Sequence, residues 1–207
     1  MSLTIIGAGS VGLALGNAFL AKGEQVCFGV TDVRKYVSAI KAMPGARLMD
    51  VPAAVGQSDL AILAVPYSAA AAVARSISDW SGRVLVDATN PLAPGLAGLA
   101  LGTTTSGAEE TARLANNAKV VKAFNTTGAE NMADSAYPGG KVFMPVCGDE
   151  APARARVLAL ANLIGFEGVD CGPLSAARYL EPLAMAWIHL AYKQGLGRNF
   201  AFSLLKR

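Results

Sequence analysis

Short apolar runs alternate with amphipathic or Ala-rich stretches along most of the 207-residue chain. Leu3–Ile6 and Gln25–Gly29 read as strands, and a third short strand is expected around Arg47–Met49. Leu60–Val65 is a continuous apolar run, the mark of a strand covered on both faces. Arg83–Asp87, Lys119–Phe124, Val142–Cys147 and Phe166–Asp170 complete the series. Between them the periodicity predicts helices at Ser10–Lys22, Asp32–Ala42, Ser68–Ser78 and Ala151–Ile164. Alternation of this kind implies parallel strands joined by right-handed crossovers, hence an α/β, doubly wound, mostly parallel sheet. Asn90–Gly107, rich in Gly, Pro and Thr, is the one long irregular stretch, and loops of that length tend to be functional or mobile.

After Gly172–Pro173 the pattern changes, with helices expected at Leu174–Tyr192 and Leu196–Leu205. Two helices cannot enclose a core of their own. Residues 1–172 are therefore expected as the sheet domain, and residues 173–207 as a short helical appendage packed on it or on a second subunit of a homodimer.

The first strand runs into Gly7-Ala8-Gly9-Ser10-Val11-Gly12, which fits G-x-G-x-x-G. The motif alone is weak, but here it follows a strand and opens a helix at the start of a βαβ unit. In that context the sheet reads as a Rossmann-like NAD(P)-binding domain. Gly7 permits the tight turn, Gly9 lets the backbone approach a pyrophosphate, and Gly12 allows close helix–strand packing. The amides of Ser10 and Val11 then face the phosphates, where the helix dipole favours negative charge. The competing interpretation is a glycine-rich turn with no ligand.

Cofactor choice lies at the end of the second strand. An acid there would bind the ribose hydroxyls of NAD, whereas Arg or Lys would accommodate the 2′-phosphate of NADP. The strand ends on Gly29, followed by Val30 and Thr31; Asp32 is placed as a helix N-cap, and Arg34 and Lys35 offer positive charge in the first turn. NADP is the favoured cofactor, the alternative being that both cations are solvated helix residues. Three further strand ends carry polar or kinked tips: Ala64-Val65-Pro66-Tyr67, Asp87 to Pro91 with Asn90, and Lys122 to Gly128 with Asn125 and Thr126. At the carboxyl edge of such a sheet they would line one crevice, although Asn-Pro and Thr-Gly also serve as ordinary loop formers.

Composition narrows the classes. Hydrophobic residues make up 53% and net charge is only +3, which argues against disorder and, with no basic stripe, against a nucleic-acid binder. Ser2–Ala21 is uncharged and of membrane-spanning length, yet it holds Gly7, Gly9, Gly12 and Gly16 and lacks a basic segment before it. A soluble, cytoplasmic chain with no membrane partner is expected. Cys27, Cys147 and Cys171 are widely spaced, and His189 is the single histidine, so a zinc-ligand set is missing. His189 sits in an apolar helix and is expected to pack there.

Asp87–Pro91, Val120–Thr126, Pro145–Asp149, Asp170–Leu174 and the closing Gly195-Leu196-Gly197 together are far more specific than the glycine loop. Through them the chain resembles, over nearly its whole length, the NADPH-dependent oxidoreductases related to coenzyme F-420 (deazaflavin):NADP reductase. It is similar also to the nucleotide-binding domain of six-transmembrane metalloreductases. In the archaeal enzymes of this family a Ser-Arg pair grips the 2′-phosphate where Val30 and Thr31 stand here. Lys35 matches a family lysine, and Arg34 would substitute for the missing arginine. Those enzymes also carry His in place of Asn125, which hydrogen-bonds but carries no proton at neutral pH, a departure that counts against coenzyme F-420.

The resemblance implies hydride transfer between NADP(H) and a small-molecule acceptor stacked in the cleft, flavin-like (FMN or FAD) or a deazaflavin. The cofactors carry that chemistry while the protein positions two rings and excludes water. Asn125 and Thr126 would orient nicotinamide or acceptor, with Pro66 and Tyr67 as cleft wall. Two other functions remain: an NADP-binding redox sensor without turnover, and a small hydroxyacid or imine reductase in which Lys122 would serve as acid rather than as a structural lysine.

Overall fold

An interior parallel strand is apolar at every position because both of its faces are covered. The computed structural model, which describes residues 2–207, shows this in the centre of its sheet. The strands are β1 (Ser2–Ile6), β2 (Gln25–Val30), β3 (Ala46–Asp50), β4 (Leu60–Leu63), β5 (Val84–Asp87), β6 (Lys119–Lys122), β7 (Phe143–Gly148) and β8 (Glu167–Asp170). They lie in the order β3-β2-β1-β4-β5-β6-β7-β8. The strand order reverses at β1 and β4, which places a crevice at the carboxyl ends of those two strands.

Helices cover both faces: α1 (Ser10–Ala21), α2 (Val33–Lys41), α3 (Val51–Val55), α4 (Tyr67–Ser76), α5 (Gly107–Leu114), α6 (Ala129–Ala133), α7 (Ala151–Leu163) and α8 (Ala177–Tyr192). Leu3, Ile5, Leu60 and Ile62 join Leu15, Phe19 and Val157 in one buried cluster. Ile6, Ala61 and Leu63 point the other way, toward Val73, Ala108 and Leu180. The doubly wound architecture expected from the alternation is what forms.

Four features depart from expectation. First, β7 runs antiparallel to β6, joined through only Val121–Gly148 and Lys122–Cys147, and β8 is parallel to β7. A fully covered strand reads as apolar in either direction, so its polarity leaves no mark in the residue pattern. Second, the single helix expected at Leu174–Tyr192 opens as a short 3₁₀ turn at Leu174–Ala176 before α8.

Third, residues 196–205 are not helical. Phe200 stacks on Trp187 with ring centroids 5.2 Å apart, and the Phe202 carbonyl accepts from Phe143 N at 2.9 Å. Two alternating aromatic anchors and an available strand terminus outweigh the helical spacing of the leucines. Fourth, α3, α5 and α6 lie in stretches without a predicted helix. For α5 a signal exists: Ser106 Oγ accepts from Glu109 N at 3.2 Å, as expected of Ser-x-x-Glu at a helix start. Among the described residues no helix is long and apolar enough to cross a membrane.

Candidate functional site

The crevice begins where β1 turns into α1. Gly7 takes φ +104°, and a Cβ there would stand 2.5 Å from the Ala64 carbonyl oxygen, so only glycine lets the turn pass β4. A side chain at Gly12 would strike the Gly7 carbonyl oxygen; its absence seats α1 against β1. Gly9 is different, because a Cβ there meets nothing within 4 Å. Its smallness serves the space above it, where a pyrophosphate would lie against the backbone. Gly9 is the N-cap of α1 and supplies no side-chain acceptor, so the first-turn amides, including those of Ser10 and Val11, are uncapped, although neither residue lines the cleft itself. The start of α5 is the opposite case: Glu181 takes Gly107 N at 2.9 Å and Ala108 N at 3.2 Å, and Ser106 takes Glu109 N.

From the loop a cleft of about 300 Å³ extends between the ends of β2 and β4. Gly7, Gly9, Val30, Thr31, Ala64, Val65 and Pro66 line it, together with Tyr36, Ala69 and Val73. An adjoining hollow of about 400 Å³ shares Val30, Thr31 and Val73 and adds Asp50 and Pro52. Its mostly apolar walls suit a purine ring. Tyr36, Pro52 and Val73 have no individual sequence signal; the amphipathic spacing of α2 is the one feature that turns Tyr36 inward.

At the rim, Asp32 caps α2 by accepting from Arg34 N at 3.1 Å. Arg34 is almost fully exposed, its Nε 3.7 Å from Asp32, and Lys35 Nζ lies over the Tyr36 ring at 5.3 Å. Both cations thus flank the cleft end lined by Thr31 and Tyr36.

The ends of β4, β5 and β6 lie side by side along the same sheet edge, since these strands are parallel neighbours. Tyr67 begins α4, half-buried, close to Gly107. Burial raises its phenol pKa, and Glu110, Glu181 and Asp87 raise it further, so the hydroxyl stays protonated at neutral pH. Asn90 and Asn125 meet: Asn90 Nδ2 donates to the Asn125 carbonyl at 2.9 Å, and Asn125 Nδ2 donates to Asn90 Oδ1 at 3.0 Å. Phe124, just before Asn125, has φ +59°, a left-handed conformation costly for an aromatic residue. Its ring is clamped edge-on by Phe19 and Phe166, each 6.3 Å away, so the core holds the strained turn that presents Asn125 and Thr126.

Asn125 Oδ1 and Thr126 Oγ1 are buried, and neither has a hydrogen-bond partner among the described residues. Native folds rarely leave such atoms unpaired without a reason. With the uncapped α1 amides on the same sheet edge they form a donor and acceptor set that fits a dinucleotide, although Tyr67, Asn90, Asn125 and Thr126, expected to share one crevice with the glycine loop, do not line the cleft beside it.

Lys122, the alternative acid, is fully buried between Asp87 and Glu181. Burial pushes its pKa down, but the two carboxylates together outweigh that and raise it, so it stays charged as a structural lysine. His189 does not pack as expected: it is exposed on α8 beside Gln194, because the buried stripe of that helix runs through Ala184, Trp187 and Ile188. A larger open groove of about 860 Å³, between the end of α1 and residues 133–141, holds none of the unpaired buried atoms.

A sheet wound about a glycine-rich crevice of this kind defines a dinucleotide-binding protein, and the comparisons with known proteins make it an NAD(P)-dependent oxidoreductase. Residues 2–91 match the family described as "NADP oxidoreductase coenzyme F420-dependent". The F420-dependent NADP reductase of Methanothermobacter marburgensis is 31% identical over 93% of both chains. A crystal structure of a putative F420-dependent NADP-reductase from Arthrobacter sp. FB24 superposes over the full length of both chains, with TM-score 0.89 and 28% identity. Metalloreductase STEAP3 of Rattus norvegicus is 27% identical over 87% of this chain, which spans about a third (36%) of that protein. The chain belongs to the family of coenzyme F420-dependent NADP oxidoreductases.

Proposed function

We propose that this NADP-dependent oxidoreductase passes a hydride between NADP(H) and a planar, flavin-like or deazaflavin acceptor stacked at the β5–β6 end of the crevice. The observation that carries this reading is the pair of buried, unpaired atoms, Asn125 Oδ1 and Thr126 Oγ1, on the same sheet edge as the uncapped α1 amides. Gly7, Gly9 and Gly12 shape the turn, and the Ser10 and Val11 amides hold the pyrophosphate. Arg34 and Lys35 face the 2′-phosphate, with Val30 and Thr31 leaving room for it. Ala64, Val65 and Pro66 form the floor and Tyr67 the wall nearer the acceptor.

The nicotinamide ring supplies the hydride chemistry when bound. The protein's part is orientation and exclusion of water. Asn90, Asn125 and Thr126 are amides and a hydroxyl, none of which serves as a general acid or base at neutral pH. That donor set suits an acceptor whose delocalised ring takes a hydride with its proton exchanged from solvent. The homology to F420-dependent NADP reductases supports a deazaflavin as one such ring, while the residue at 125 opens the choice to flavins.

A second reading, reduction of an imine or a keto acid, draws on one observation: Tyr67 opens α4 directly after Pro66 of the cleft wall, where its phenol would serve as proton donor. Anaerobic mixing of the protein with NADPH and, in turn, FMN, FAD, coenzyme F420, a cyclic imine and a keto acid separates the readings. Saturable NADPH oxidation with a flavin or deazaflavin is expected. Turnover confined to the imine or keto acid would replace the proposal with the second reading, and tight NADPH binding with no oxidation by any of them would make the protein a redox sensor.

A further inference from the structure

Three charged side chains take no part in the binding surface described above, yet they are the most deeply buried charges in the protein. Asp87 and Lys122 are 0% exposed and Glu181 is 1% exposed. Lys122 Nζ lies 3.4 Å from Asp87 Oδ1 and 2.8 Å from Glu181 Oε1. Well-packed apolar residues commonly fold as well as such a cluster or better, so stability alone does not account for it. What it holds in place is informative.

Asp87 Oδ1 accepts from both Thr89 N and Thr89 Oγ1 at 2.8 Å, and Lys122 Nζ donates to the Thr89 carbonyl at 2.6 Å. Thr89 is thereby fixed, and with it Asn90. On the other side Glu181 binds the first amides of α5 as well as Lys122, which pins α8. The residue before it, Leu180, offers its carbonyl to Asn125 Nδ2 at 3.3 Å. The contacts close into a ring: Asp87 to Thr89 and Asn90, across to Asn125, on to Leu180 and Glu181, and back through Lys122.

Two backbone carbonyls determine which way the amides face. Asn90 must turn its Nδ2 to the Asn125 carbonyl, which turns its Oδ1 to Asn125. Asn125 must then spend Nδ2 on Asn90 Oδ1 and the Leu180 carbonyl, leaving Oδ1 as the unpaired atom. An amide oxygen is an acceptor only, so the group it receives has to bring an N–H or O–H.

We infer that Lys122, Asp87 and Glu181 are positioning residues that lock the Asn90–Asn125 amide pair, so that Asn125 Oδ1 recognises the carboxamide N–H of the nicotinamide. This rests on the placement of the nicotinamide at the end of β6 proposed above. It adds a specificity: a dinucleotide with the carboxamide replaced by a group without N–H is discriminated against, and the ion cluster sustains that discrimination from beneath the site.

The test compares three ligands by calorimetry: NADP⁺, its 3-acetylpyridine analogue and 2′-phospho-ADP-ribose, which lacks the ring. The wild type is expected to prefer NADP⁺ over the acetylpyridine analogue about tenfold, the worth of one hydrogen bond. Lys122→Met should erase that preference while binding 2′-phospho-ADP-ribose within about twofold of wild type, a split that general loosening of the fold does not produce. Removing Lys122 leaves two carboxylates facing one another, so a milder variant accompanies it. Thr111 Oγ1 donates to Asp87 Oδ2 at 2.8 Å; Thr111→Val should cut the preference to about threefold, and Thr111→Ser should restore it. An undiminished preference in Thr111→Val, or equal losses for all three ligands in both Thr111→Val and Lys122→Met, overturns the positioning role. A wild type that binds NADP⁺ and its analogue equally well overturns the recognition of the carboxamide. A wild type that binds none of the three instead refutes the underlying placement of the dinucleotide.

Discussion

Replacing Thr126 by Val should make the ligand-free protein more stable and the liganded protein no more stable than wild type. Thr126 is 2% exposed, and its Oγ1 has no partner among the described residues. A buried hydroxyl without a hydrogen bond costs roughly 1–3 kcal/mol in mutational series. Valine has nearly the same shape and no hydroxyl, so the substitution is expected to raise the unfolding free energy by about 1 kcal/mol. For a chain of this size that corresponds to a Tm increase of about 2–4 °C. With NADPH bound the sign of the effect changes, because the hydroxyl now has a group to pair with and its loss weakens binding about tenfold.

At an NADPH concentration 100 times the wild-type Kd, ligand binding stabilises the wild type by about 2.7 kcal/mol. The valine variant, tenfold weaker, gains about 1.4 kcal/mol from the same concentration. Its apo advantage of about 1 kcal/mol then just fails to make up the difference, so the two melting curves, well separated without ligand, should nearly coincide with it. The assay is thermal unfolding with and without NADPH for wild type, Thr126→Val and the hydroxyl-retaining Thr126→Ser. A lower apo Tm for Thr126→Val would mean that the hydroxyl is satisfied within the fold. An equal NADPH-induced rise in all three proteins would remove Thr126 from the binding site.

Gly9→Val should fold with a Tm lowered only by about 2–4 °C, the cost of a poorer helix N-cap, since its Cβ enters open space at φ −81°, yet lose NADPH binding; Gly12→Ala should instead destabilise the fold by about 2–3 kcal/mol, because its Cβ meets the Gly7 carbonyl. NADPH binding retained by Gly9→Val would displace the pyrophosphate from the glycine loop. Arg34→Ala combined with Lys35→Ala should weaken NADP⁺ about tenfold or more, most at low salt, and leave NAD⁺ unaffected; equal losses for the two dinucleotides would end the phosphate assignment. Burial pushes the Cys147 thiol from 9.0 up to about 12, so the folded state keeps a proton that the unfolded state loses above pH 9. Stability is therefore expected to fall by up to about 1.4 kcal/mol per pH unit between about pH 9 and 12, and urea unfolding at pH 8 and pH 10 should show a smaller loss in Cys147→Ala than in wild type.

What the residue order discloses of this fold is whatever is settled within a few positions along the chain. Gly7 and Gly12 are legible because each carries a local constraint, a positive φ and a first helical turn pressed on the carbonyl that precedes it, even though the close pass of Gly7 by Ala64 is a tertiary contact. Asp32 is legible as a cap for the same reason. Ser106-x-x-Glu109 carries an equally local signal, obscured by the glycine- and threonine-rich stretch before it. By contrast, the irregular path of residues 196–205 depends on Trp187 offering a face to Phe200 and on the start of β7 offering an amide to Phe202. No spacing within the segment records either partner, and its leucines point to a helix that the tertiary contacts override.

The candidate site divides along the same line, and the division bears on how the cofactor end and the acceptor end of the crevice can vary. The pyrophosphate contacts proposed above come from backbone on a glycine scaffold, so they are tied to a short motif. The orientation of Asn125 is decided by Asn90, Leu180 and, behind them, Asp87, Lys122 and Glu181, residues drawn from three separate parts of the chain. Lys122 by itself reads as an acid or a structural lysine; its place in the ring emerges only when Glu181 arrives on α8. A substitution at 125, such as Asn125→His, therefore changes the donor–acceptor character that the proposed site presents to the ring and also what the amide of Asn90 can pair with. In the proposed binding mode the acceptor end is thus adjustable through a distributed network while the dinucleotide cradle stays as it is.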